Sequence, residues 1–241
     1  MPEGFEPQVL PPGGGGRESP SESELPSRAR RCEVAPPLPE TRVLLLRHGK
    51  TSDPDRFHGA ESDVGLSPRG VRQAELLARY LVGLRPAAVY SSGMRRALET
   101  AAPIARACGL AVATVDALHE CRMGSISWRS KVEAGADYAE LTRRWAAGDI
   151  GFKHEGAESY VEVECRIRAP FQELVERSSG RSIAIVTHGI VIRVLLTSLL
   201  EGLGPSDFER VRIRTGSLSD LRWDGARWSA TALDDRPPRH S

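Results

Sequence analysis

Short apolar runs alternate with amphipathic stretches along the chain from residue 41 onward. Residues 42–46 and 182–187 are apolar runs of the kind that forms buried parallel strands, and polar residues follow each run at once. Shorter runs predict strands at 87–90 and 111–115. Near the C-terminus, apolar and polar residues alternate as in half-buried strands, which predicts strands at 211–214, 218–223 and 227–232.

Apolar residues at helical spacing predict the helices between these strands. Ser67 caps a helix over 67–84, with a proline in its first turn. A second helix over 94–108 ends at Gly109. Ser159 and Glu162 form the pattern of a capping box that opens a helix to about residue 177. A more polar helix at about 130–147 is expected to cap a site, and an apolar helix follows at 190–200.

The order of these elements predicts the fold class. Alternating strands and helices with short links are typical of an α/β protein, here a three-layer α/β/α domain over 41–233. Its central sheet is expected to be mostly parallel and flanked by helices, with a small helical cap at about 125–157. Residues 1–40 hold 9 Pro and 5 Gly, so we expect a disordered tail that serves as a spacer or, alternatively, as a docking arm. Residues 234–241 are expected to be flexible.

Composition and charge narrow the function classes. The chain of 241 residues is 40% hydrophobic with a net charge of +1, which gives no reason to expect a nucleic-acid or membrane partner. No apolar run is long enough to span a bilayer, and no secretory signal is visible. The four cysteines lack CxxC spacing, which argues against a zinc ribbon or a disulfide scaffold. We therefore expect a cytoplasmic protein without a metal or another cofactor.

Two of the apolar runs end in a His–Gly pair. His48 and His188 are each expected at the carboxyl edge of the sheet, where ligands of parallel sheets bind. The glycine that follows lets the backbone turn sharply and approach a ligand, and the next helix favours an anion at its N-terminus. A single histidine in this context is more often a capping or core residue. Two of them, with Arg47 adjacent, predict a phosphate site.

Further charged residues are expected at the same edge. Arg95 and Arg96 fall in the first turn of a helix, where a cation opposes the helix dipole. A bound anion explains one of these arginines better than helix stability does, and the other can lie on the surface. Glu120 follows the third strand and suits a general acid or base near a phosphate oxygen. The alternative is a loop glutamate that pairs with Arg122 or Arg129.

These blocks, in this order, resemble the histidine phosphatase (phosphoglycerate mutase-like) superfamily and its phosphatase branch. The resemblance runs from LLLRHGKT at 44–51 to GSL at 216–218. Between them lie RFHG at 56–59, LSPRGVRQA at 66–74, SSGMRRALET at 91–100, LHECRMG at 118–124, GAESYVEVECRIR at 156–168 and IVTHG at 185–189.

The resemblance implies a role for each matching residue. His48 would be the nucleophile that becomes phosphorylated, and Glu120 would protonate the leaving oxygen and then activate water. Arg96 is preferred to Arg95 because it directly precedes the alanine of its block. The implied catalytic set is Arg47, His48, Arg96, Glu120 and His188, and the implied phosphate-binding set is Arg47, Thr51, Arg56, His58, Gly59, Arg96 and His188.

The segment 51–59 departs from the family pattern. It lacks the usual asparagine, its loop to Arg56 is about two residues short, and His58 stands where glutamine is common. Asp53 would be unfavourable beside a phosphate unless it points away.

The spacing of the site residues bears on the activity. Glu120 and His188 lie 68 positions apart, which leaves room for a small cap only. The resemblance therefore implies a metal-independent phosphomonoester hydrolase that acts on small phosphorylated metabolites, and the cap argues mildly against a phosphoprotein substrate. The alternatives are phosphoglycerate mutase-type transfer and a non-catalytic binding module on the same fold. The cap offers five candidates for shaping the leaving-group pocket, although most of them are expected to serve packing or the surface: Tyr138, Trp145, Phe152, Lys153 and His154.

Overall fold

The computed structural model describes residues 39–237, so most of the predicted N-terminal tail lies outside the described residues. Six strands form one sheet in the order β3-β2-β4-β1-β5-β6. The pairs β1–β4, β2–β4 and β2–β3 are parallel, whereas β1–β5 and β5–β6 are antiparallel. The predicted, mostly parallel sheet is thereby confirmed. The strands are β1 Thr41–Arg47, β2 Ala88–Ser91, β3 Val112–Thr114, β4 Ser182–Thr187, β5 Leu218–Trp223 and β6 Trp228–Asp235.

Five α-helices connect the strands, and local sequence signals define their ends. Ser67 accepts a hydrogen bond from the Gly70 amide at the start of α1. The predicted capping box at Ser159 is formed, and a second one at Ser130 opens the helix of the cap. Gly109 ends α2 with a positive φ of 69°. The helices are α1 Pro68–Leu84, α2 Arg95–Cys108, α3 Lys131–Ala146, α4 Tyr160–Arg177 and α5 Gly189–Leu199.

The sheet separates two hydrophobic cores, as the three-layer prediction requires. Alternate residues of β1 face opposite sides, so that Val43 and Leu45 pack on one core and Leu44 and Leu46 on the other. The first core contains residues of α3, α4 and α5, and the second contains residues of α1 and α2. Within residues 39–237, no helix is both long and apolar enough to cross a membrane.

The predicted strand at 211–214 is wrong. The segment alternates between buried and exposed residues, which produces the period of a strand. Its backbone groups, however, pair with side chains and with nearby turns instead of a neighbouring strand. The Ile213 carbonyl accepts a hydrogen bond from Arg47 at 2.6 Å, and the Arg214 amide donates to the Asp234 carboxylate at 2.5 Å.

The end of the chain also differs from the expectation. Strand β6 continues past the predicted end at residue 232 and includes Asp234 and Asp235, which were expected to be flexible. The Asp234 carboxylate accepts a further hydrogen bond from Arg214 Nε at 2.6 Å, and this contact holds the end of the strand. Residues 238–241 lie outside the described residues.

Candidate active site

A cavity of about 480 Å³ opens at the carboxyl edge of the sheet. His48, which follows β1, lies on its wall together with Glu120 and Gly189 at the start of α5. Lys131 and Tyr138 of α3 also line the cavity, so the helix over 131–146 contributes to its wall. The volume suits a small organic ligand.

His48 is a buried and uncharged imidazole. Its side chain is buried, and its Nδ1 donates to the Gly49 carbonyl at 2.7 Å, so the lone pair of the neutral ring lies on Nε2. Burial lowers the pKa of His48 well below its ordinary value of 6.5, and the positive charges of Arg96 and Arg47 lower it further. The imidazole is therefore uncharged and able to attack at neutral pH.

Both glycines of the His–Gly pairs are needed for close contacts inside the protein. A Cβ at Gly49 would lie 2.6 Å from the carbonyl oxygen of Gly70 in α1, and a Cβ at Gly70 would lie 2.1 Å from the Lys50 carbonyl oxygen. A Cβ at Gly189 would lie 3.0 Å from the Arg47 guanidinium carbon. Neither Gly49 nor Gly189 has a positive φ, so close approach, and not an unusual turn, explains both glycines.

Arg96 and Arg47 supply positive charge, and neither forms an ion pair with a carboxylate within residues 39–237. Arg96 is fully buried and donates from Nη1 to the Ser62 carbonyl at 2.7 Å and from Nη2 to the Gly59 carbonyl at 3.2 Å. Arg47 donates to the Ile213 carbonyl. The Nε of each guanidinium is buried without a hydrogen-bond partner within residues 39–237. Both arginines are therefore fixed in place with charge available to an anion.

Arg95 occupies a different environment from its neighbour Arg96. Its side chain is 63% exposed and pairs with Glu99 at 2.7 Å on the surface of α2. The sequence-based preference for Arg96 as the site residue agrees with this placement.

His188 lies directly behind His48, with the two ring centroids 5.1 Å apart. Its Nε2 is 2.8 Å from the Ser92 hydroxyl, and its Nδ1 is buried without a partner within the described part of the chain. When Ser92 donates to Nε2, Nδ1 carries the proton and can donate to an oxygen of a bound phosphoryl group. Arg47 and His48 line the cavity, whereas the fully buried Arg96 and His188 are not among its lining residues.

Glu120 is held by backbone amides. Its Oε1 accepts from the Cys121 amide at 3.0 Å, and its Oε2 accepts from the Gly189 amide at 3.0 Å at the N-terminus of α5. Its carboxylate therefore does not form the alternative pairs with Arg122 or Arg129. Those arginines pair instead with Glu158 at 3.9 Å and with Asp137 at 2.7 Å, respectively.

A buried ion pair fixes the loop that carries Glu120. Arg166 donates to the carbonyls of Ala117 at 2.5 Å and His119 at 3.1 Å. The same guanidinium binds the buried Glu158 carboxylate at 2.9 Å, and that carboxylate accepts from the Arg122 amide at 2.9 Å. The loop is thus held on both sides of Glu120.

Fewer residues of the loop 51–59 line the cavity than the resemblance implies. Thr51, Arg56 and His58 line the cavity, but Gly59 does not and instead presents its carbonyl to Arg96. The exposed Arg56 pairs with Asp53 at 3.3 Å. Asp53 is not among the cavity-lining residues, so its negative charge does not face a phosphate bound in the cavity.

Several residues that line the cavity were not predicted from the sequence. Arg193 of α5 lines the cavity and donates to the Tyr138 hydroxyl at 3.3 Å. It is the single charged residue in the otherwise apolar helix GIVIRVLLTSL, a signal that the sequence does contain. Lys50, Arg69 and Lys131 also line the cavity. Of the five cap residues named in the sequence analysis, Tyr138 alone lines the cavity. Trp145 and Phe152 pack in the core. Lys153 pairs with Glu162, and His154 binds the Asp137 carbonyl.

Comparison with known proteins identifies the family. The model of the histidine phosphatase superfamily (branch 1) matches residues 43–236. The chain belongs to this superfamily. The histidine phosphatase domain resembles the probable phosphoglycerate mutase GpmB of Yersinia enterocolitica, with 32% identity over 78% of the chain and 88% of the relative. The matching protein of Yersinia pestis is 31% identical over the same shares.

Solved structures agree with this assignment. A mycobacterial glucosyl-3-phosphoglycerate phosphatase superposes with a TM-score of 0.72 and 28% identity, covering 80% of this chain and 98% of that one. A phosphoserine phosphatase of Entamoeba histolytica superposes with a TM-score of 0.70 at 23% identity, over 81% and 97%, and supports the fold alone. The histidine phosphatase superfamily consists of phosphatases and mutases, and this chain is an enzyme of that class.

The buried histidines of this histidine phosphatase should make its stability depend on pH. The pKa values of His48 and His188 both lie well below 6.5, chiefly because of burial. As the pH falls below about 6.5, the unfolded chain binds protons that the folded one does not, so stability is lost by up to about 1.4 kcal/mol per pH unit for each histidine. Urea unfolding from about pH 7 to about pH 5.5 measures this slope. The slope should be smaller in His48→Ala, and an equal slope in both proteins would contradict the assignment.

Proposed function

We propose that the protein is a metal-independent phosphomonoester hydrolase that acts through a phosphohistidine at His48, on small phosphorylated metabolites. One observation carries the proposal. The neutral His48, with its lone pair on Nε2, lies beside the half-buried guanidinium of Arg47 and the fully buried guanidinium of Arg96, whose hydrogen bonds within residues 39–237 all go to carbonyl groups. Phosphoryl transfer requires this combination of a positioned nucleophile and fixed positive charge.

In the first step, the phosphoryl group of the substrate binds to Arg47, Arg96 and the Nδ1–H of His188. Nε2 of His48 attacks phosphorus in line, the new N–P bond forms, and the bond from phosphorus to the ester oxygen breaks. Glu120 in its protonated form gives its proton to the departing oxygen, so the product leaves as a neutral alcohol.

In the second step, the Glu120 carboxylate accepts a proton from water. The resulting oxygen attacks phosphorus, the N–P bond breaks, and its electron pair returns to Nε2 of His48. Inorganic phosphate leaves, and both His48 and Glu120 are restored to their starting states. Dividing the hydrolysis in this way gives each step a good leaving group.

The alternative functions differ in the fate of the phosphoryl group. A mutase would pass it to a second substrate, and the names of the Yersinia relatives favour this alternative. The cap over the present site contains one α-helix, α3, and the cavity-lining Arg56 is about half exposed, which favours access of water. A non-catalytic binding module would not need a neutral nucleophile opposite a carboxylate.

Hydrolysis of 4-nitrophenyl phosphate in excess chelator tests the proposal. We expect turnover that survives chelation, and a phosphoenzyme in quenched samples that is stable in base and labile in acid, as phosphohistidine is. Loss of activity on chelation would contradict metal independence. Absence of hydrolysis together with transfer of phosphate between phosphoglycerates would replace the hydrolase with a mutase.

The role of Glu120 predicts a dependence on the leaving group. Glu120→Gln should slow hydrolysis of alkyl phosphates by about 10²- to 10⁴-fold, because a poor leaving group requires protonation. Hydrolysis of 4-nitrophenyl phosphate, whose leaving group is stable as an anion, should slow much less. The measurement is kcat/KM for both substrates, with the exposed Glu155→Gln as the matched control. Equal slowing of both substrates would remove Glu120 from the general-acid role.

A further inference from the structure

The ion pair of Arg166 and Glu158 lies outside the active-site cavity, since neither residue is among those that line it. The two side chains are only 17% and 5% exposed, and they form two parallel hydrogen bonds, from Nε to Oε1 at 2.9 Å and from Nη2 to Oε2 at 3.0 Å. Removing two charges from water costs free energy, and a buried ion pair often stabilises a fold no more than apolar residues of the same volume would. Stability alone is therefore a weak reason for this pair.

The guanidinium of Arg166 also holds the backbone just before Glu120. Its Nη1 donates to the Ala117 carbonyl at 2.5 Å and to the His119 carbonyl at 3.1 Å. These carbonyls belong to the third residue before Glu120 and to the residue that directly precedes it. One side chain of α4 thus fixes the approach of the chain to the Glu120 carboxylate.

Glu158 holds the backbone just after Glu120. Its Oε2 accepts a hydrogen bond from the Arg122 amide at 2.9 Å. The main chain of Glu158 adds two contacts, since its amide donates to the Arg122 carbonyl at 2.9 Å and its carbonyl accepts from the Cys121 thiol at 3.7 Å. The ion pair therefore joins the two arms of the loop across Glu120.

The loop depends on such contacts because it belongs to no helix or strand. Residues 119–122 lie between two short 3-10 turns, Asp116–Leu118 and Gly124–Ile126. Tertiary contacts, and not a regular backbone ladder, thus set the position of Glu120. A displacement of about 1 Å in such a group can reduce turnover by about 10²-fold.

An exposed pair on the same helix shows the difference. Arg168 and Glu164 also belong to α4, and the Arg168 side chain is 58% exposed. Within residues 39–237, the Arg168 side chain donates to the Glu164 carboxylate alone. Arg168 therefore has the same charge as Arg166 and lies on the same helix, but it makes no contact with the loop of Glu120.

We propose that Arg166 is a positioning residue for Glu120. It touches neither the substrate nor the reacting atoms, and it acts by fixing, together with Glu158, the distance from the Glu120 carboxyl group to the leaving oxygen. The inference rests on the proposed function, because it takes Glu120 as the general acid of that reaction. It adds that this acid depends on a charge pair anchored in α4.

Two aryl phosphates of similar shape test this role. Phenolate is a poorer leaving group than 4-nitrophenolate, so hydrolysis of phenyl phosphate gains more from a general acid. We expect Arg166→Met to lower kcat/KM for phenyl phosphate by about tenfold or more relative to 4-nitrophenyl phosphate, within the loss of about 10²-fold that a displacement of about 1 Å can cause. Arg168→Met is the matched control and should leave the ratio of the two kcat/KM values unchanged.

This ratio does not depend on the fraction of folded protein, because both substrates report on the same preparation. A loss of stability in Arg166→Met therefore cannot imitate the expected result. Arg166→Lys keeps the charge but not the fork of donors, and its ratio should lie between those of the wild type and Arg166→Met. If urea unfolding shows that Arg166→Met does not fold, Arg166→Lys gives the comparison.

A double variant separates an effect through Glu120 from a general loss of activity. Glu120→Gln should itself raise the ratio of kcat/KM for 4-nitrophenyl phosphate to that for phenyl phosphate. Adding Arg166→Met to Glu120→Gln should change the ratio by less than about twofold, because substitutions that act through one group are not additive.

Chemical rescue gives an independent readout. A surface pocket of about 490 Å³ is lined by both Arg166 and Glu158, so a small cation can reach the space left in Arg166→Ala. Added methylguanidinium should bring the ratio of Arg166→Ala back toward the wild-type value. It should not change the ratio of Arg168→Ala.

An unchanged ratio in the Arg166 variants, or a further rise of the same size in the Glu120→Gln background, would overturn the positioning role. If the wild type then hydrolyses 4-nitrophenyl phosphate and Glu120→Gln raises the ratio, the proposed function stands without it. Absence of hydrolysis by the wild type, or an unchanged ratio in Glu120→Gln, would instead contradict the proposed function, and the positioning role with it.

Discussion

Replacing His48 with alanine is expected to reduce kcat/KM for 4-nitrophenyl phosphate by about 10⁴- to 10⁶-fold, the range found when an enzyme nucleophile is removed. The remaining site still binds the phosphoryl group through Arg47 and Arg96, but nothing replaces the N–P bond that divides the reaction. The fold should persist, because His48 lies at the edge of the sheet and makes one side-chain hydrogen bond, to the Gly49 carbonyl. We expect a loss of about 1 kcal/mol in the free energy of unfolding.

The measurement compares wild type, His48→Ala and the control His154→Asn. His154 is half-buried beside the cap and binds the Asp137 carbonyl, so its loss removes an imidazole without touching the cavity. Urea unfolding establishes that all three proteins are folded. Addition of free imidazole should restore part of the activity of His48→Ala only. Near-normal hydrolysis by His48→Ala would eliminate the phosphohistidine mechanism.

Replacing Arg96 with methionine should cost both activity and stability. We expect kcat/KM to fall by about 10³-fold, because a fixed donor to the phosphoryl oxygens is lost in a buried site. The free energy of unfolding should fall by about 3 kcal/mol, because the buried carbonyls of Ser62 and Gly59 lose their donor. The chain supplies a control in the adjacent Arg95, whose exposed pair with Glu99 contributes little to stability.

Kinetics and urea unfolding of Arg96→Met and Arg95→Met give the comparison. Arg95→Met should differ from wild type by less than about twofold in kcat/KM, in keeping with the small contribution of an exposed ion pair. If the two variants behave alike, the buried Arg96 guanidinium has no special role, and the assignment of the phosphoryl site would be wrong.

Local patterns were sufficient to predict most of the fold. The runs that became β1 and β4 are apolar throughout because both faces of a parallel strand are covered by helices. The capping box at Ser159 is likewise a local signal, since its two residues satisfy each other's backbone. The segment 211–214 was wrongly predicted as a strand because its buried and exposed side chains alternate without any pairing to a neighbouring strand. Its actual partners, Arg47 and Asp234, are distant in sequence.

The candidate site divides in a similar way. His48, Glu120 and His188 follow predicted strands, so their convergence at one edge could be inferred from topology. Lys131 and Arg193 could not be placed in this way, because their position depends on how the cap packs against α5. The sequence correctly placed Gly49 at the carboxyl edge of the sheet, but it predicted that this glycine serves a sharp turn and a ligand. The structure shows that Gly49 is needed because Gly70 of α1 packs against it, and a contact between two elements is not visible in the local sequence.

The facing glycines, Gly49 and Gly70, also determine which parts of the enzyme can be engineered. Each position has room for hydrogen alone, and enlarging one cannot be compensated at the other, because each side chain would meet backbone atoms. A library designed to change substrate selectivity should therefore keep both glycines fixed. The side chains at Lys50, Arg69 and Lys131 are exposed or half-buried, so they can be exchanged without disturbing this contact. Under the proposed function, the side chains of the cavity wall can therefore be redesigned while the backbone contact behind His48 is retained.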